Sequence, residues 1–138
     1  MTPAGLSLGF RILGRETRVS GIAPILWDED RKVDIARIAN ATAKLLECDL
    51  ELSPSDILSS DEYIGDRYGV LTQEGRDALK LVAETEGIFL DPVYTSKAMA
   101  GMIDQIRKGI IRKNETVVFI HTGGLPALFA YAEDLMLS

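Results

Sequence analysis

Thr116-Val117-Val118-Phe119-Ile120-His121-Thr122-Gly123-Gly124-Leu125-Pro126 is the stretch on which the fold turns. Five strand formers in a row, apolar on both faces, predict a central parallel strand over 116–120. It ends in a His-Thr-Gly-Gly turn, and Pro126 starts a last helix running to about Met136.

Working outward, strands and helices alternate. Upstream, a helix is expected from about Ser96 to Lys108, with Ala98, Met99, Met102, Ile103 and Ile106 on one side and Gly109 as its stop. Thr72 caps a helix that turns Leu79, Val82 and Ala83 inward and ends at Gly87. Ile88-Phe89-Leu90 is a short apolar piece broken by Asp91-Pro92. Asp61 to Gly69 reads as loop and carries Tyr63 and Tyr68, while 50–58 is strand or loop. Asp28-Glu29-Asp30 opens a helix whose Ile35, Ile38, Ala39, Thr42, Leu45 and Leu46 should face a core. Arg18 to Ala23 is a short strand. Thr2 to Leu13 is a helix with Thr2 as N-cap, Pro3 at its first position and Gly14 as stop. The pattern predicts an α/β protein: a three-layer, open, mainly parallel sheet with flanking helices.

The composition agrees with one ordinary domain. The chain has 138 residues, 46% of them hydrophobic and 26% charged, with a net charge of −6. The acidic balance argues against nucleic acid as a partner, because phosphate binding wants a basic face. A single cysteine, Cys48, excludes an intrachain disulfide framework and a thiolate zinc cluster. The longest apolar runs fall short of the roughly 20 residues of a spanning helix. Met1 is not followed by a basic leader and apolar run, so a cytoplasmic location without membrane attachment is expected.

In open α/β sheets, ligands sit beyond the carboxyl ends of strands, near helix N-termini. Three places qualify: Thr2-Pro3-Ala4-Gly5, Asp91 to Ser96, and His121-Thr122-Gly123-Gly124. The third is the sharpest, because paired glycines let backbone approach a ligand closely. The alternative is a tight strand-to-helix turn holding no ligand. His121 is read as a hydrogen-bonded turn residue rather than a base, for want of an acidic or nucleophilic partner. Tyr94 and Tyr68 are either phenols aimed at substrate or half-buried rings under loops. Cys48 lies between Glu47 and Asp49, which would raise its thiol pKa and disfavour a nucleophile. The acidic groups at 28–30 and 61–62 are read as solvated or capping charges, not metal ligands.

Two stretches also resemble a known family. Glu86-Gly87-Ile88-Phe89-Leu90-Asp91-Pro92-Val93-Tyr94-Thr95-Ser96-Lys97-Ala98 and Phe119-Ile120-His121-Thr122-Gly123-Gly124 are similar to the C-terminal part of the D-cysteine desulfhydrase and aminocyclopropane-carboxylate deaminase family. The spacing, and the helix between them ending in Arg107-Lys108-Gly109, agree as well. These are pyridoxal-phosphate lyases and deaminases of the tryptophan synthase β-like fold (fold type II), and the resemblance extends over essentially the whole chain, residues 1–138. It implies that Thr2 to Gly5 is the tail of the loop holding the cofactor phosphate. It implies too that Tyr68 and Tyr94 are the active-site phenols, and that Thr95, Thr122, Gly123 and Gly124 lie by the cofactor ring.

The two branches of that family differ at the ring. The deaminase type carries an acidic residue after the tyrosine and a leucine before the Gly-Gly. Thr95 and Thr122 stand here, as in the desulfhydrase type, which converts D-cysteine to pyruvate, sulfide and ammonia. A carboxylate at the pyridine nitrogen deepens the electron sink and a hydroxyl does so far less, so the pattern leans towards thiol elimination. The resemblance further implies that the Schiff-base lysine lies outside this chain, since none of Lys32, Lys44, Lys80, Lys97, Lys108 or Lys113 sits in the family's motif. The expectation is a C-terminal portion of a desulfhydrase-type lyase, inactive alone, completed by an N-terminal chain; the alternatives are a non-catalytic binding or oligomerisation module and, third, the deaminase branch with altered ring contacts. Missing strands should expose apolar surface and favour a homo-oligomer.

Overall fold

The computed structural model describes residues 1–28 and 30–136. Glu29, one of the acidic residues expected to open a helix, lies outside them. The chain divides into two compact units, Met1–Gly21 with Trp27–Ser60, and Ile22–Leu26 with Asp61–Ser138.

The first unit is built on helix α1 (Thr2–Ile12) packed against helix α2 (Arg31–Leu45). Ala4 and Leu8 of α1 meet Ile35, Ala36, Ala39 and Ala43 of α2, with Leu52 and Ile57 closing the cluster. Small side chains along α2 let the helices approach closely. Consequently the buried stripe runs through the alanines, and Leu45 (84% exposed) and Leu46, expected inside, lie at the helix end facing outward. Asp30 caps α2 by accepting from the Lys32 N–H at 2.8 Å. The N-cap of α1 is Met1 and not Thr2, which is already helical and makes no side-chain cap bond. The undecided stretch after α2 forms a 3-10 turn (Pro54–Asp56) and strand β2 (Leu58–Ser60), which pairs with β1 (Ser20–Ile22) in a two-stranded sheet. Asn40 pins this connection with both ends of its amide, donating to Leu52 O at 2.9 Å and accepting from Leu52 N–H at 2.8 Å.

The second unit pairs helix α3 (Gln73–Glu86) with helix α4 (Thr95–Arg107). Thr72 caps α3, accepting from Gly75 N–H at 3.0 Å, and Gly87 ends it in the left-handed region that favours glycine (φ 66°). Ala78, Val82, Leu90, Met99 and Ala100 form the core, flanked by Leu79, Met102, Ile103 and Phe119. Ile106, expected on this face, is exposed at the last turn of α4. The expected last helix is two short ones, α5 (Ala127–Ala130) and α6 (Ala132–Met136), broken at Tyr131.

The 116–120 run is not a strand here. A strand is a property of a pair, and among the described residues this run has no ladder partner. Phe119 packs on the α3–α4 core, whereas Val118 is 75% exposed and Val117 and Ile120 are exposed too. Its two-faced apolar pattern is that of a central strand, and its surroundings in this chain cover one side of it. No helix among the described residues is long and apolar enough to cross a membrane.

Candidate functional site

The site is organised around the first residue of the 91–96 place, which the sequence offers without a role of its own. Asp91 is completely buried, and its carboxylate accepts four hydrogen bonds. Oδ2 takes the N–H groups of Val93 and Tyr94, each at 2.8 Å, and Oδ1 takes the N–H and hydroxyl of Thr95, each at 2.7 Å. The Thr95 hydroxyl in turn accepts from Asp91 N–H at 2.7 Å. The chain's own carboxylate therefore occupies the N–H groups that open α4. Of the three expected ligand places, this helix N-terminus is closed to an external anion. The signal was available: an aspartate followed by proline, just ahead of a helix, forms such turns because its side chain reaches backbone N–H groups two and three residues on.

Tyr94 stands at the end of this turn. Its hydroxyl is hydrogen-bonded to that of Tyr68, with ring centroids 6.1 Å apart and planes at 58°. Both rings keep exposed faces, 42% for Tyr94 and 47% for Tyr68. The bond to Tyr68, then burial, hold the Tyr94 phenol above its ordinary range, so it carries its proton at neutral pH. The loop bearing Tyr68 is fastened on both sides. Tyr63 donates to Asp104 at 2.6 Å, Lys97 donates its amine to Ile64 O at 2.5 Å, and the Tyr131 hydroxyl donates to Gly69 O.

The turn at 121–124 is seated against the same aspartate. A Cβ on Gly124 (φ +91°) would fall 2.5 Å from Asp91 Cγ and 2.8 Å from its Oδ1, so only glycine fits. Gly123 (φ +99°) has open space where a Cβ would stand. His121 is a satisfied turn residue: Nε2 bonds Phe89 O at 2.9 Å, and Nδ1 accepts from Gly123 N–H at 3.2 Å. Both bonds are met when Nε2 carries the hydrogen. Thr122 is exposed.

Tyr94, Thr95 and Gly124 thus lie against Asp91, Tyr68 joins them through its bond to Tyr94, and Thr122 and Gly123 are on the adjoining turn. Thr2 is an exposed residue of α1 and belongs to the first unit. Lys97, the lysine closest in sequence, is fully buried with its amine on a backbone carbonyl, so it is not available to a ligand. Cys48 Sγ contacts Leu46 O at 3.6 Å. Among the described residues no three His, Cys, Asp or Glu side chains converge as a metal site would need. Two open cavities, of about 510 and 470 Å³, lie in the first unit and involve none of the site residues.

Residues 1–123 match the family described as pyridoxal-phosphate dependent enzyme. The chain belongs to that family. It is 40% identical over 131 residues to a 1-aminocyclopropane-1-carboxylate deaminase of Rhizobium rhizogenes, covering 95% of this chain and 39% of the relative. A deaminase of the same name from Methylobacterium nodulans is 42% identical over 130 residues, covering 94% of this chain and again 39% of the relative. The crystal structure of an ACC deaminase homologue superposes with a TM-score of 0.85 at 38% identity, covering 99% of this chain and 40% of that one. The chain therefore spans about two-fifths of these proteins' length, and its fold is part of the fold type II pyridoxal-phosphate domain.

The family's cofactor is pyridoxal phosphate, and the residues present fit one side of it. The open flank of Gly123 leaves room for a flat ring beside backbone, Thr122 offers an exposed hydroxyl, and the two phenols keep exposed faces. A covalent lysine anchor is not among the residues gathered here.

Proposed function

We propose that this chain forms the tyrosine-bearing, C-terminal side of the amino-acid pocket in a pyridoxal-phosphate lyase of the deaminase type. The observation that carries the reading is the joined pair of hydroxyls on Tyr68 and Tyr94, half exposed, with Tyr94 on a turn whose Asp91 also lies against Gly124. When bound, the cofactor supplies the electron sink that lets a bond to the substrate's Cα break.

What the chain's own residues do follows from their protons. Two phenols hold two hydroxyl hydrogens, and their mutual bond uses one. The other is free to be given to a substrate atom or to hydrogen-bond a carboxylate. Because Tyr94 is held above its ordinary range, it meets substrate as an acid rather than as a phenolate. Thr122 and the open backbone at Gly123 orient the ring edge.

The relatives' shared name supports 1-aminocyclopropane-1-carboxylate, or a close small amino acid, as substrate. A second reading, D-cysteine elimination, draws on Thr95 and Thr122. Thr95 supports it less than its place in the sequence suggests, since its hydroxyl is engaged with Asp91 as both donor and acceptor. Thr122 still supports it.

The rest of the enzyme would come from a further polypeptide segment bearing the lysine. The test is to co-express this chain with the remainder of the Rhizobium rhizogenes deaminase and assay the purified pair. Ammonia from 1-aminocyclopropane-1-carboxylate is expected. Sulfide from D-cysteine without that ammonia would select the second reading. A stable, cofactor-loaded pair inactive on both would overturn the proposal.

A further inference from the structure

We infer that Asp91 is the positioning residue of this site: it holds the Tyr94 phenol on Tyr68 and seats the Gly124 turn, so that both flanks of the pocket move as one piece. The catalytic consequence rests on the reading of Tyr68 and Tyr94 given above; the mechanical claim does not.

Asp91 makes no contact through solvent, being entirely enclosed. All four of its carboxylate bonds go to three consecutive residues, Val93, Tyr94 and Thr95. These fix the backbone from which the Tyr94 side chain leaves. Charge-assisted bonds of this kind are short and directional, and four on one carboxylate hold the turn in this arrangement. On its other side the carboxyl carbon is in the space a Gly124 side chain would take. Gly124 does not bond Tyr94. Asp91 is the residue that touches both, through its bonds to the Tyr94 turn and its contact with Gly124.

This makes a specific spectroscopic prediction for the chain as it stands. The Tyr94 phenol titration is followed by NMR of the labelled ring carbon, with Tyr94→Phe fixing the assignment. In Asp91→Asn, Thr95→Val and Gly124→Ala, the Tyr94 midpoint is expected to fall towards its ordinary value, as the bond to Tyr68 is lost. Asp91→Asn also removes a nearby charge, so Thr95→Val and Gly124→Ala, which keep the charge, are the deciding arms. Thr95→Val is the mildest change and decides alone where the others do not fold. A Tyr94 midpoint unchanged in folded Thr95→Val, or a shift confined to Asp91→Asn, would overturn the inference. In the completed enzyme, kcat should fall in the same variants with KM little changed. A moved midpoint with unaltered kcat would leave the positioning role standing and remove the functional reading instead.

Discussion

Tyr63 and Asp104, forty-one residues apart, are joined by a 2.6 Å hydrogen bond that ties the tyrosine loop to the third turn of α4. Asp104 also holds Lys108 at 2.7 Å, so the loop is fastened to a small charged network. Burial first, then the bond to Asp104, push the Tyr63 phenol up to about 12 from 10.0. The folded state thus keeps this proton where the unfolded chain releases it. The stabilisation is complete below pH 10 and is lost as pH rises towards 12. Tyr63→Phe is expected to flatten that part of the alkaline stability curve, measured by urea unfolding at stepped pH. An identical decline in the variant would contradict the assignment.

Lys97 works with the opposite sign. Burial lowers its pKa below 10.5, so the unfolded chain binds a proton that the folded chain holds less tightly. Its contribution is full above 10.5 and is lost as pH falls through the lowered value. Lys97→Met should abolish that rise of stability with pH in the alkaline range below Tyr63's titration. It should also leave Ile64 O without its donor, at a cost of about 1–3 kcal/mol. Denaturant midpoints at stepped pH below 10.5 measure both effects, and an unaltered slope would refute the first.

Gly101 lies where α4 meets Tyr63 and Ile22. A Cβ there would be 2.9 Å from Ile22 Cδ1 and 3.0 Å from two carbons of the Tyr63 ring. Gly101→Ala is therefore expected to destabilise by about 1–3 kcal/mol despite the better helix propensity of alanine. Thermal unfolding checks this, and a stabilised variant would show that the neighbours give way freely.

Removing either phenol should act on chemistry more than on folding. Tyr68→Phe and Tyr94→Phe each delete one hydroxyl of an exposed pair. In the completed enzyme each is expected to lower kcat by about 10²-fold or more, the usual scale for a positioned acid or base. Steady-state kinetics decide the matter. Losses under threefold in both variants would assign the pair a merely structural part.

Much of this architecture was legible in residue order. Thr72, Gly87 and Gly109 mark helix ends in the chain, because capping is a local transaction between a side chain and its own backbone. The outward turn of Leu45 and Leu46 was not legible, since it depends on how closely α1 approaches the alanines of α2. The 116–120 run shows the same limit more sharply: its pattern specifies a buried strand, yet pairing needs a second strand, and among the described residues none lies beside it. At the site, the tyrosines and the Gly-Gly turn stood out by residue type. Asp91 stood out only as the start of a helix-opening turn, which Asp-Pro signals locally; its complete burial against Gly124 is a tertiary fact. Thr95 was assigned to the ring by resemblance alone, and its burial against Asp91 is a tertiary fact.

The central claim is that Tyr68, Tyr94 and the 121–124 turn form one face of a pocket for a pyridoxyl ring bearing an amino acid. The most direct measurement is an NMR titration of this chain with phosphopyridoxyl-alanine, a reduced adduct that carries ring and amino acid together and needs no lysine. The account predicts shifts concentrated at the Tyr68 and Tyr94 rings and the amides of Thr122, Gly123 and Gly124. Shifts confined to the first unit, or none at those residues with the adduct at millimolar concentration, would contradict it.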